Sequence, residues 1–105
     1  MSITFPTTAA EFIAAQETGA GRLLTNPERS LLESSVDIIN ECFHSGKAGE
    51  KMPWPESAKK AVEGLREMGA LEKFKKNPFA VRYLSFMLAW TKDAYQQGQE
   101  AAQHG

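Results

Sequence analysis

The sequence predicts an all-α fold, a compact bundle of four to five helices around a largely buried C-terminal helix. Three observations predict it. Apolar residues recur at helical intervals, almost no stretch alternates as a strand does, and Gly, Pro and Asn punctuation divides the chain into five helical segments. With 105 residues, 42% of them hydrophobic, the chain suits a single domain over residues 1–105 that folds without disulfides or metal.

The first helix is expected over residues 8–18. Thr8-Ala9-Ala10-Glu11 has the spacing of a capping box, in which the Thr8 hydroxyl accepts from the third backbone N–H and Glu11 reaches back. Gly19-Ala20-Gly21 is its flexible stop. The second helix, residues 27–43, opens on Asn26-Pro27, a side-chain cap and then proline where a missing N–H is harmless. Leu32, Val36, Ile39 and Phe43 share one stripe, widened by Leu31, Ile38 and Cys42; Glu33, Asp37, Asn40 and Glu41 fall mostly opposite. From Ser45 to Pro55 two glycines and two prolines read as a broken connection, with Trp54 between the prolines pinned toward the core.

The third helix, residues 56–68, begins at Pro55 or Glu56, with Ala58, Ala61, Val62, Leu65 and Met68 as its apolar stripe and Gly69 as its end. A short helix over residues 70–76 leads to Asn77-Pro78, a second cap-and-proline start. The last helix, residues 78–97, is apolar around most of its circumference. Phe79, Tyr83, Phe86, Met87, Trp90, Ala94 and Tyr95 are its packing residues, and Arg82, Ser85, Ala89, Lys92 and Gln96 form one solvent strip. Such a helix belongs among other helices. The tail, residues 98–105, loses apolar residues and is expected to fray.

Several function classes are excluded. The longest apolar run, from Phe86 to Trp90, falls far short of the ~20 residues of a membrane span. Met1-Ser2-Ile3-Thr4-Phe5-Pro6 lacks the basic and apolar regions of a secretory signal, so a cytoplasmic protein is expected. Cys42 is the single cysteine, which excludes an intrachain disulfide and a CxxC zinc site. Glu41-Cys42-Phe43-His44 contains a Glu-x-x-His pair, but a di-iron bundle needs a second pair on a facing helix, and none exists. A solvated helix end is the preferred reading of His44. On one helix His44 lies about 200 degrees round from Cys42, so the two cannot form a nucleophile and base; Cys42 reads as a buried structural thiol. With no nucleophile elbow, P-loop or dinucleotide motif either, neither enzyme activity nor a cofactor is expected.

Charge is the one feature beyond a plain bundle. Residues 1–46 hold two basic side chains against six acidic ones, and residues 47–76 hold eight basic against five acidic, so the net charge of −1 conceals a dipolar chain. The densest cluster is Lys73, Lys75 and Lys76 around Phe74, followed by Arg82 one turn into the last helix; Lys59, Lys60 and Arg66 extend it on the third helix. Cations near a helix start attract anions, and Phe74 offers a face for an unpaired base. The plainer reading, which the sequence favours, is a solvated turn with Phe74 and Phe79 in the core and the pairs Glu56–Lys60, Lys59–Glu63 and Glu72–Lys76 supporting their helices. A pI near 6.1 points to a single strand rather than a long duplex, and the short segment 70–76 lacks the Asn, Gln or Arg of a DNA-reading helix.

In size, helical content and the patch from Lys73 to Arg82, the chain resembles small phage-borne all-helical inhibitors, anti-CRISPR proteins against type I systems among them. These share no motif, so no residue role carries over by position. The resemblance implies stoichiometric inhibition, by occupying nucleic acid or a surface of a host complex that handles it. The alternative expectation is a small structural or assembly protein, a homodimer pairing the acidic half of one copy with the basic half of the next.

Overall fold

A computed structural model describes residues 3–55 and 57–104, with the Phe79 side chain left aside. The expected helix start at Glu56, the Glu56–Lys60 pair and the packing role of Phe79 therefore lie outside the described residues. Five helices follow one another: α1 (Ala9–Ala20), α2 (Asn26–Ala48), α3 (Ala58–Glu67), α4 (Leu71–Lys75) and α5 (Pro78–His104). No strand occurs among the described residues, and the fold is all-α.

α1, α2 and α5 form the hub. Phe12, Ile13, Leu32, Val36, Ile39, Cys42, Phe43, Met87 and Ala94 bury together, joined by Phe5 from the segment ahead of α1. The buried residues of α2 fall at helical spacing because one side of that helix lies along α5 for much of its length. Two polar side chains join this core at no cost in unmatched groups. The Ser35 hydroxyl donates to the Leu31 carbonyl at 2.7 Å and meets the Tyr83 hydroxyl, and Thr91 donates to the Met87 carbonyl at 2.6 Å.

α2 and α5 both outrun their expected ends, and one contact explains both extensions. Glycine inside a helix normally weakens it by about 1 kcal/mol. Here Gly46 and Gly98 are buried where the two helices cross: a Cβ on Gly46 would strike the Tyr95 carbonyl, and one on Gly98 the Phe43 carbonyl. The backbones approach closely only because neither residue has a side chain. Helix α2 therefore continues to Ala48, with the stop supplied by Gly49 at φ 73°, and the Tyr95 hydroxyl donates to the Glu50 carbonyl at 2.5 Å just beyond. The expected frayed tail is instead helix to His104, with Ala101 packed against the core.

The extended residues before α1 are latched by two carboxamides. Asn40 accepts from Thr7 N at 3.0 Å and donates to the Thr7 carbonyl at 2.7 Å. Gln97 accepts from Phe5 N at 2.8 Å and donates to the Ile3 carbonyl at 2.7 Å. Each amide satisfies one backbone N–H and one C=O of a segment that has no sheet partner among the described residues.

The caps differ in detail from expectation. Thr8 caps α1 through Glu11 N at 3.2 Å, but the Glu11 carboxylate accepts from the Thr7 hydroxyl rather than closing a box. At α2 the cap is Thr25, one residue before Asn26, because Thr25 and Glu28 complete the reciprocal box. α1 runs through Gly19 and ends on Gly21 at φ 68°.

α3 and α4 form an arm. Among the helices they touch only each other and α5. Ser57 caps α3, accepting from Lys60 N at 3.3 Å, so the helix starts later than residues 56–68 implied. Of its expected stripe Ala61 is buried, Val62 and Leu65 are half-buried, and Ala58 and Met68 are exposed. With no second helix on its far side, α3 has one narrow contact line. The protein is a slab, 44 × 35 × 18 Å, and its radius of gyration of 14.5 Å exceeds the ~13 Å of a globular chain this long.

Candidate functional site

The cations singled out in the sequence all reach solvent. Lys59, Lys60 and Arg66 on α3, Lys73, Lys75 and Lys76 on and after α4, and Arg82 on α5 are exposed. Lys75 stands 3.9 Å from Glu72, with both side chains largely in water, a pair worth little. Among the described residues no ion pair joins Lys59 to Glu63 or Glu72 to Lys76, because these side chains have open solvent as an alternative partner. Asn77 caps α5 as expected, accepting from Ala80 N at 3.3 Å.

Phe74 does not serve as the exposed ring that base stacking requires: it is half-buried, though it does not join the core as the plainer reading of the cluster expected. Among the described residues the open aromatic ring is Phe86, which the helical pattern assigns to packing. It is 49% exposed, and Val81 nearby is 47% exposed. The expected solvent strip, Arg82, Ser85, Ala89, Lys92 and Gln96, is exposed as foreseen. Phe86 stands free because α1 meets α5 at Trp90, where Phe12 abuts the indole edge-on at 4.9 Å, and leaves a groove beyond.

This groove, about 560 Å³, runs between the end of α1, the first half of α2 and α5. Leu24, Leu31, Leu32, Tyr83, Phe86 and Trp90 line it, with Arg22, Glu28 and Arg82 at its edges. Phe86 stacks on Trp90 with centroids 5.5 Å apart and planes 17° from parallel. The α1–α2 turn that forms one wall is held by carboxylates. Glu28 takes a bidentate bond from Arg22, at 3.1 and 2.9 Å, as well as the Thr25 cap contacts, which together hold its pKa at about 2. Glu17 accepts from Leu24 N and from Arg29, both at 2.9 Å, and these bonds, the backbone one foremost, lower its pKa.

Elsewhere the chemistry is quiet. Cys42 is fully buried, and burial, with the nearby Glu41 charge, pushes its thiol up to about 11, so it is protonated at neutral pH. Glu41 and His44 line a shallow exposed depression on α2, and among the described residues no three His, Cys, Asp or Glu side chains converge to hold a metal ion. No helix of the described residues is long and apolar enough to cross a membrane. The row Arg82, Phe86, Trp90, spaced four apart on one helix face, was readable in the sequence; what the sequence lacked was any sign of where α1 meets it. Compared with protein-family models, curated proteins and solved structures, the chain matches none of them.

Proposed function

We propose that this chain is a non-catalytic binding protein that docks an anionic partner, single-stranded nucleic acid foremost, on the exposed cations of α3, α4 and the start of α5. By occupying that strand it acts as a stoichiometric inhibitor of a complex that must use it, the mode of the phage-borne inhibitors it resembles. The observation that carries the reading is the segregation of charge. The arm holds Lys59, Lys60, Arg66, Lys73, Lys75 and Lys76 against Glu63, Glu67 and Glu72, while the solvent face of α2 holds Glu33, Asp37 and Glu41. Charge so divided orients an anion toward the arm and away from α2. A chain with pI near 6.1 lacks the charge to hold a long duplex, so a short or single-stranded site fits best.

The test is fluorescence anisotropy with labelled single-stranded and duplex oligonucleotides at low and rising salt. Tighter binding of the single strand is expected, falling steeply with salt. The triple variant K73E/K75E/K76E should lose most of that binding and flatten the salt slope by about 2. No shift with either oligonucleotide at low salt removes the nucleic-acid reading.

A further inference from the structure

We infer that the row Arg82, Phe86, Trp90 on α5 is a base-stacking platform, on which an unpaired base of a single strand lies against the open face of Phe86 with its phosphate at Arg82. The inference rests on the reading of the arm as a single-strand site and names the residue that takes the base.

Four residues apart on a helix, these side chains are neighbours about 6 Å apart at Cβ. Phe86 stacks on Trp90 with centroids 5.5 Å apart and planes 17° from parallel, and 49% of the residue remains exposed, which leaves room for a base on the side away from Trp90. Trp90 is in turn held edge-on by the fully buried Phe12. The stack is thus braced against the core and presents a fixed aromatic plane, which is what a base needs from a protein surface.

Charge selects the occupant. Of the two arginines at the groove, Arg22 is held bidentately by Glu28, whereas Arg82 has no ion-pair partner among the described residues. An apolar groove with one uncommitted guanidinium beside an open ring suits a planar aromatic group that carries a nearby negative charge. A nucleotide has both. The groove's ~560 Å³ falls in the size range of small-molecule sites and accommodates a base with room to spare. Arg82 stands one helical turn beyond Pro78 and is the next exposed cation along the chain after Lys75 and Lys76.

The experiment compares dT12 with an abasic oligomer of the same length and charge, measured by anisotropy and by quenching of tryptophan emission. The wild type should bind dT12 about tenfold more tightly than the abasic oligomer, with emission quenched by dT12 alone. Phe86→Leu, which keeps an apolar contact on Trp90 but has no π-face, should bind both oligomers like the abasic one; Phe86→Tyr should retain the preference. Equal affinities in the wild type, or a preference that survives Phe86→Leu, overturn the platform while leaving the arm as a charge-driven site. Binding of neither oligomer overturns both and leaves the groove to a partner protein's apolar side chain.

Discussion

The hub of α1, α2 and α5 and the arm of α3 and α4 are built on different terms. In the hub, two helices touch backbone to backbone at Gly46 and Gly98, buried hydroxyls find acceptors inside the core, and the leading segment is latched at Thr7 and Phe5. In the arm only Ala61 and Leu71 are buried, and Met68 at the end of α3 is 77% exposed. Trp54, in the connection between the two regions, packs on the core with an indole N–H that has no acceptor among the described residues. The hub is specified by close geometry that few other sequences satisfy, while the arm is specified by little more than one apolar line and a cap. Regions of the second kind open at lower free energy, and they are where a protein can hold cations without disturbing its fold.

Substitution at the helix crossing should separate the two regions most sharply. Gly98→Ala or Gly46→Ala places a methyl against a backbone carbonyl that cannot turn aside, and each should destabilise by about 3 kcal/mol in urea unfolding. A loss under about 1 kcal/mol would show that the helices can part without consequence. Asn40→Ala and Gln97→Ala come next, since each strands one backbone N–H and one C=O; a loss of about 2 kcal/mol is expected, with faster amide exchange at Thr7 and Phe5 respectively.

The arm should respond in the opposite direction. Gly64 lies inside α3 with open space around its Cα, so Gly64→Ala should slow amide exchange in α3 by up to about 1 kcal/mol and leave the hub unchanged. If the hub is protected equally, the two regions unfold as one. Acid gives the smallest effect. A carboxylate whose pKa is lowered on folding adds stability above its unfolded value and gives it up as pH falls toward the folded value. For Glu28 that window runs from its ordinary 4.5 down to about 2. Glu28→Gln should be less stable at neutral pH and flatter between pH 4.5 and 2, and an unchanged acid profile would show that the Arg22 pair is idle.

The sequence made the helices legible because periodicity and punctuation are local. Thr8 and Asn77 sit where their hydroxyl or amide can reach a nearby N–H, and the stripe Leu32, Val36, Ile39, Phe43 is buried as its spacing required. What escaped it depends on another part of the chain. Asn40 counted as a solvent residue on α2 because nothing nearby showed that Thr7 would need its amide. Gly46 read as part of a broken connection and Gly98 as part of a fraying tail because the partner of each is a helix remote in sequence. The same blindness governed the site. Phe74 and Phe86 are equally hydrophobic letters, and only the place where α1 meets Trp90 decides which ring is left open.

The latch between Phe5 and Gln97 spans 92 positions. During synthesis Phe5 leaves the ribosome long before Gln97 is made, and α2 likewise precedes the helix α5 that covers it. Neither end of the hub can be finished early, so the nascent chain carries α2's long apolar stripe uncovered until the last helix emerges. A ribosome stalled before α5 would therefore hold a chain prone to chaperone capture, and the charged, water-facing arm is the segment made during that wait.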